Sequence, residues 1–233
     1  NMKLNGYKNK IVPINDSATT VDLPEKVDVV ICEMVATGLI DELQIPAMNN
    51  ILKFCKNKPR IIISRMRNYI DLVNINNSFY GHRLNVIQYE YSWKKYIRSN
   101  PLTNKFMYSE IDFSKKNEGN IDFSVTLTAR KSGEINAIRM SNQTIFSNGK
   151  MLGDTDAYCM PLLLPIDSLQ VMKGDKLTLK CAYKMCSGLN NFKYKIERYD
   201  HGSVLRPYFA PLYQNLITSR ASQQNKQKEE VCR

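Results

Sequence analysis

The sequence predicts an α/β layer followed by an all-β domain. Two apolar, β-branched segments, Val27–Cys32 and Arg60–Ser64, flank an amphipathic segment, which is the order of a strand–helix–strand unit. After Tyr69 the hydrophobic period changes to two, and short alternating segments follow one another with turn residues between them. This change predicts half of a doubly wound α/β domain joined to an antiparallel sandwich or barrel.

The elements of the α/β layer follow from local patterns. Lys10–Ile14 is a short apolar stretch before a turn signal and predicts a strand. Val27–Cys32 is almost continuously apolar, which is typical of a parallel strand covered on both faces, and Arg60–Ser64 has the same character. In Asp41–Phe54 the apolar residues recur at three- and four-residue spacing, so we expect an amphipathic helix with Pro46 in its first turn.

The second part of the chain predicts short antiparallel strands and then a polar tail. Alternating patterns predict strands at Leu84–Tyr89, Ile121–Leu127, Ile135–Arg139, Lys176–Cys181 and Phe192–Ile196. Glycine-containing turn signals lie at Asn117–Asn120, Lys131–Gly133, Ser147–Gly149 and Lys173–Asp175. We expect the α/β layer over residues 1–66, the β-barrel over 67–205 and a polar tail over 206–233.

The composition is that of a globular protein with a basic surface. Hydrophobic residues at 43% and charged residues at 24% exclude wholesale disorder. The longest apolar runs are strand-sized, so we expect no membrane span. The net charge of +11 favours polyanions such as nucleic acids, but its spread along the chain is equally typical of a compositionally biased, lysine-rich proteome.

The cysteine pattern predicts reduced thiols. The six cysteines are widely spaced, no C-x2-C pair occurs, and His82 and His201 lie far from them in sequence. This pattern predicts neither a zinc site nor a disulfide scaffold, so we expect no metal and a cytoplasmic protein. The chain opens with Asn1 in a polar stretch, and we therefore expect a fragment of a longer protein.

The segment after the first apolar strand carries two carboxylates. Glu33 follows Val27–Cys32 directly, and Glu42 comes nine residues later, across a loop that contains Gly38. In an open α/β sheet the carboxyl ends of the strands border the ligand crevice, so both side chains can reach one site. Paired carboxylates bind cations, and a planar guanidinium offers them paired donors. The alternative is that Glu33 closes a strand and Glu42 stabilises the positive start of the following helix.

The residues from Glu33 to Glu42, in the order Glu-Met-Val-Ala-Thr-Gly-Leu-Ile-Asp-Glu, resemble the double-glutamate loop of the protein arginine methyltransferase family. Leu23–Val30 resembles the family's lead into that loop, and Pro59–Arg65 resembles the strand that joins its cofactor domain to its barrel. Leu164–Asp175 resembles a hairpin of that barrel. The similarity implies the C-terminal half of a Rossmann-like methyltransferase domain followed by an antiparallel β-barrel.

The resemblance also implies a chemistry and its residues. The cofactor would be S-adenosylmethionine, and Glu33 and Glu42 would be the catalytic carboxylates that align and polarise a nitrogen acceptor. By the same alignment Ser17, Ala18 and Thr19 would border the adenine, and Glu33 would also contact the cofactor. The acceptor would be cationic or amine-bearing: a protein side chain, an RNA nucleotide or a small molecule.

Three departures from the family pattern shape this expectation. The glycine-rich cofactor loop has no counterpart in the sequence, which implies an N-terminal segment or a partner chain that supplies it. The family's Thr-His-Trp loop would fall near Asp156–Tyr158, where neither its His nor its Trp is present. The resemblance therefore does not imply that arginine is the acceptor. The family's dimerisation arm would be reduced to a short segment near Ser92–Pro101. A homodimer is one oligomeric state that the resemblance allows.

Two further functions remain open at the level of sequence. One is a catalytically silent scaffold that keeps the barrel as a binding surface. The other is an RNA-binding β-barrel, which is indicated by the positive charge and by scattered aromatic residues such as Trp93. Steep salt dependence of RNA binding would distinguish the RNA-binding protein from the methyltransferase.

Overall fold

The structure is a computed structural model that describes residues 1–91, 99–153 and 159–199. Over these ranges the chain is mostly β-sheet, with one α-helix and a few 3-10 helical turns. None of the described helices is long and apolar enough to cross a membrane.

The first layer is a parallel strand–helix–strand unit. It consists of β1 (Val27–Ile31), α1 (Gln44–Ile51) and β2 (Cys55–Ile62), and β1 pairs with β2 in parallel. The parallel pairing is as predicted, but the helix is shorter than the predicted Asp41–Phe54. Its flanks form separate 3-10 turns at Thr37–Leu39 and Leu52–Phe54. Pro46 lies in the first turn of α1, as expected for a residue that lacks a backbone donor.

Two predictions for this layer are wrong. Lys10–Ile14 forms no strand, because no neighbouring strand pairs with it and its apolar side chains stay exposed. β1 is not covered on both faces, since Val29 is 49% and Ile31 is 74% exposed. Two paired strands do not amount to a Rossmann sheet, and the assignment of residues 1–66 to half of such a domain stays a prediction.

The rest of the described chain is built from antiparallel strands. They are, in chain order, β3 (Arg65–Asn74), β4 (Ser78–Phe79), β5 (His82–Arg83), β6 (Gln88–Tyr89), β7 (Asn100–Pro101), β8 (Phe106–Asp112), β9 (Asn120–Thr128), β10 (Gly133–Ile145), β11 (Met151–Leu152), β12 (Leu162–Val171), β13 (Lys176–Lys184) and β14 (Lys193–Arg198). The alternating segments therefore become strands, except that only the last two residues of Leu84–Tyr89 do so.

These strands form two larger sheets that share one main core, and a smaller apolar cluster of Val73, Ile75, Ala137 and Leu163 lies apart from it. The main sheet has the order β6–β12–β10–β3–β7, with β8 also paired to β3 and β11 to β10. The second sheet has the order β14–β13–β9. Alternation along β13 directs Leu177, Leu179 and Cys181 into the core and its lysines outward. Within the described residues the strands do not close into a barrel, so the closed barrel is not confirmed.

A buried ion pair lies on the main sheet, opposite the core. Arg139 of β10 and Asp71 of β3 are directly paired across the ladder, with hydrogen bonds of 2.9 and 2.6 Å from the guanidinium to the carboxylate. Asp71 is 1% and Arg139 is 14% exposed. Removing Arg139 would leave the buried Asp71 carboxylate without its paired cation, which typically costs about 3–5 kcal/mol.

Several predictions fall outside the described residues. They concern residues 92–98 of the shortened arm predicted near Ser92–Pro101, the Thr-His-Trp position near Asp156–Tyr158, and the tail over 206–233. The boundaries at 66 and 205 likewise stay predictions, although β3 begins at Arg65.

Candidate functional site

The loop between β1 and α1 carries both predicted carboxylates. Glu33 lies two residues after the end of β1, and Glu42 lies two residues before the start of α1. Both side chains are exposed. Among the described residues they share no hydrogen bond with each other and form no salt bridge. Glu33 therefore follows the carboxyl end of a parallel strand, and both carboxylates are accessible to solvent.

Gln44 holds the first part of this loop. Its side-chain Oε1 accepts hydrogen bonds from the Met34 backbone N–H at 2.9 Å and from the Cys32 thiol at 3.3 Å. Its Nε2 donates to the Cys32 carbonyl at 3.2 Å. Gln44 is fully buried at the first position of α1. One amide side chain therefore fixes the backbone on both sides of Glu33 to the helix that begins two residues after Glu42.

Replacing Gln44 with alanine is expected to release Met34. The change removes the acceptor of the Met34 N–H and the donor to the Cys32 carbonyl, and each unsatisfied buried group costs roughly 1–3 kcal/mol. Hydrogen–deuterium exchange at the Met34 amide should accelerate by about tenfold or more.

Asn49→Ala is the matched control for Gln44→Ala. Asn49 lies in the same helix and makes two side-chain hydrogen bonds, both to the backbone of Asn117. This variant should leave Met34 exchange unchanged. Equal acceleration in both variants would mean that the helix as a whole had loosened, and Gln44 would then have no particular role in the loop.

Gly38 anchors the centre of the loop against the main β-layer. Its carbonyl accepts a hydrogen bond from the Tyr183 hydroxyl at 2.8 Å. Tyr183 uses its only proton there, so the Tyr108 hydroxyl, 2.8 Å away, must donate to Tyr183. Burial raises the pKa of both tyrosines, so the hydroxyls stay protonated donors at neutral pH.

Gly38 also requires the glycine side chain. Its φ of +68° is in the left-handed region, and an added Cβ would lie 2.5 Å from Cε of Met140 and 3.2 Å from each of the two tyrosine hydroxyls. The backbone of the loop thus passes directly against β8, β10 and β13. The sequence indicated only that the loop contains a glycine, whereas the structure shows close packing there.

Backbone hydrogen bonds hold the last part of the loop. The N–H groups of Cys186, Ser187 and Gly188 donate to the carbonyls of Leu39 and Ile40 at 2.7–3.0 Å. Earlier in the loop, the hydroxyl of Thr37 donates to the Met160 carbonyl at 2.6 Å. The loop is therefore fixed by α1 on one side and by the β-layer on the other, while its two carboxylates stay in solvent.

The predicted adenine-bordering residues lie in a turn attached to α1. The Ser17 and Thr19 hydroxyls are hydrogen-bonded at 2.8 Å. The carbonyls of Ala18 and Val21 accept hydrogen bonds from Nδ2 of the buried Asn50, at 3.3 and 2.7 Å. Ser17 to Thr19 and Glu33 are thus both tied to the same helix, through Asn50 and Gln44.

Other titratable candidates do not add to the site. Burial, and secondarily the neighbouring Glu33, raises the pKa of the Cys32 thiol, which therefore stays protonated and is a poor nucleophile. His82 is exposed in the short β4–β5 hairpin. In the part of the chain that the structure describes, no three His, Cys, Asp or Glu side chains are grouped so that they could hold a metal ion.

Sequence comparisons connect the chain to proteins without an assigned activity. No protein-family model matches it. It is 30% identical over 198 residues to the uncharacterized protein MJ1452 of Methanocaldococcus jannaschii, over 84% of this chain and 71% of that protein. It is 29% identical over 199 residues to an uncharacterized protein of Methanothermobacter thermautotrophicus, over 83% of this chain and 71% of that protein.

Among solved structures, the chain is similar in fold to two protein arginine methyltransferases. Protein arginine methyltransferase 10 of Arabidopsis thaliana, in an open conformation, gives a TM-score of 0.69 over 89% of this chain and 76% of that one. A chain of the Trypanosoma brucei PRMT1 enzyme–prozyme heterotetramer with AdoHcy gives a TM-score of 0.64, and the match covers 89% of this chain and 74% of that chain. Identity is 14% in both cases, so the likeness shows a methyltransferase-like fold and, by itself, neither activity nor acceptor.

Proposed function

Since the chain belongs to the family of the uncharacterized protein MJ1452 of Methanocaldococcus jannaschii and has a methyltransferase-like fold, we propose that it acts in S-adenosylmethionine-dependent methyl transfer to a nitrogen acceptor. One observation carries the proposal. Two exposed carboxylates, Glu33 and Glu42, lie on one loop that is hydrogen-bonded to α1 and to the β-layer at the carboxyl end of a parallel strand. A loop held in this way can orient charged groups without reorganisation during the reaction.

Glu33 and Glu42 would bind and polarise the acceptor. Carboxylate oxygens accept hydrogen bonds from an amine or guanidinium, and these bonds strengthen as positive charge develops on the nitrogen. Both glutamate side chains are exposed and form no salt bridge among the described residues. The expected acceptor is therefore cationic or amine-bearing, on a protein side chain, an RNA nucleotide or a small molecule.

The residues of this chain fit one side of the cofactor. When bound, S-adenosylmethionine supplies the methyl group from its sulfonium. The hydroxyls of the exposed Ser17 and the half-buried Thr19 can donate to or accept from adenine nitrogens, with Ala18 between them, and Glu33 can accept from cofactor hydroxyls. The hydrogen bonds from Asn50 and Gln44 would hold these two parts of the site at a constant separation.

A further polypeptide segment would complete the sheet and the cofactor site. The glycine-rich loop that binds the methionine half of the cofactor has no counterpart in the sequence. β1 pairs only with β2 among the described strands, and Val29 and Ile31 leave apolar surface exposed next to it. An apolar strand on the same polypeptide or on a partner chain would cover this surface.

The direct test is methyl transfer by the full-length protein with its partners. Methyl-labelled S-adenosylmethionine is incubated with the protein and with separated protein, RNA and small-molecule fractions of a cell extract. We expect label in one fraction, and incorporation at a rate ~10²–10³ lower when Glu33 is replaced by glutamine. Retained binding of extract components without any label would favour the scaffold function instead.

A further inference from the structure

The outer face of the second sheet carries a concentrated positive charge. Alternation along β13 and β14 directs five lysines to the solvent side, namely Lys176, Lys180, Lys184, Lys193 and Lys195. We call this surface the lysine face. We propose that the lysine face binds the phosphate backbone of nucleic acid. It lies outside the Glu33–Glu42 loop and does not depend on methyl transfer.

The charges on this face are not balanced. Two carboxylates, Asp122 and Glu197, share the face with the five lysines, which leaves three positive charges in excess. Glu197 pairs with both Lys180, at 3.2 Å, and Lys195, at 2.5 Å. The other three lysines have no carboxylate within salt-bridge distance among the described residues. They are therefore available to an external anion.

The neutral residues of the face also suit a phosphate backbone. Lys176, Lys180 and Lys184 are four residues apart on one strand, which corresponds to about 13–14 Å between successive lysines. Hydroxyl groups lie between them on the same face, at Ser124, Thr126, Thr128 and Thr178. Lysine and hydroxyl side chains are the usual protein contacts to phosphate oxygens.

Apolar groups are few on this face. Among the large exposed hydrophobic residues of the described ranges none lies within β9, β13 or β14, and Tyr199 directly follows β14, where it is 71% exposed and its N–H donates to the Lys176 carbonyl at 2.9 Å. One aromatic ring at the edge does not form the apolar core that protein interfaces usually contain, so phosphate contacts would dominate the interaction. Phosphate contacts alone bind with little dependence on base sequence.

The test compares two variants of equal net charge in the full chain. The face variant carries Lys176→Gln, Lys184→Gln and Lys193→Gln, and the control carries Lys3→Gln, Lys8→Gln and Lys150→Gln, all of them exposed lysines. Binding to single-stranded RNA and to duplex DNA of mixed sequence is measured between about 50 and 200 mM salt. The face variant should bind at least about tenfold more weakly at low salt, and the slope of log K against log salt should fall by about 2 units.

Each alternative result is informative. Equal losses in the face and control variants would mean that only net charge matters and would overturn the site. Failure of the wild-type chain to bind RNA or DNA would overturn the proposal as well, as would equally tight binding of polyglutamate. Thermal melting at the wild-type temperature in both variants excludes misfolding, because all six lysines are exposed.

Discussion

Replacing Glu33 or Glu42 with glutamine is expected to slow methyl transfer by the full-length protein by ~10²–10³. Glutamine keeps the size of the side chain but removes the negative charge that would stabilise the developing charge on the acceptor nitrogen. Both side chains are exposed and neither forms an ion pair among the described residues, so folding should be unaffected. The measurement is the single-turnover rate of transfer from labelled S-adenosylmethionine to the acceptor.

Glu25→Gln is the matched control for these two variants. Glu25 is also exposed and lies shortly before β1, outside the loop. It should retain the wild-type rate, and all three variants should bind the cofactor nearly normally, since other residues hold most of it. If both loop variants transfer methyl groups at the wild-type rate, Glu33 and Glu42 are structural and the catalytic assignment of the loop is wrong.

Replacing Gly38 with alanine is expected to lower the free energy of unfolding by about 2–5 kcal/mol. A side chain at φ of +68° costs about 1–2 kcal/mol, and the added Cβ would meet the buried Met140 at 2.5 Å. The tyrosine hydroxyls at 3.2 Å cannot move aside without breaking their hydrogen bonds to each other and to the Gly38 carbonyl. Chemical denaturation measures this loss.

Gly149→Ala separates backbone strain from packing. Gly149 has a φ of +79°, but nothing lies within 4 Å of the position that its Cβ would occupy. It should therefore show only the cost of the left-handed backbone, about 1–2 kcal/mol. Equal destabilisation by the two variants would contradict the close packing of the loop against Met140, Tyr108 and Tyr183.

Much of the architecture could be predicted because it depends on local patterns. The two-residue alternation predicted β9, β10, β13 and β14, since period two by itself puts one side of a strand in the core. Glycine-containing turn signals predicted the bends before β10 and between β12 and β13. Where the pattern was a short apolar run, as in Lys10–Ile14, the prediction was wrong, because a strand needs a partner that the run does not specify.

The sequence alone determined that Glu33 follows the first parallel strand, because Glu33 comes directly after an apolar, β-branched run. It placed Glu42 inside the helix predicted over Asp41–Phe54, whereas α1 begins two residues after Glu42. Only the tertiary structure decided what holds them. Gln44 reaches back to Cys32 and Met34, and Tyr183 reaches the Gly38 carbonyl from a strand 145 residues later in the chain. Asp71 and Arg139 likewise meet across a sheet. Such contacts depend on the register and packing of distant elements, and a polar side chain in the sequence does not reveal which buried group it will satisfy.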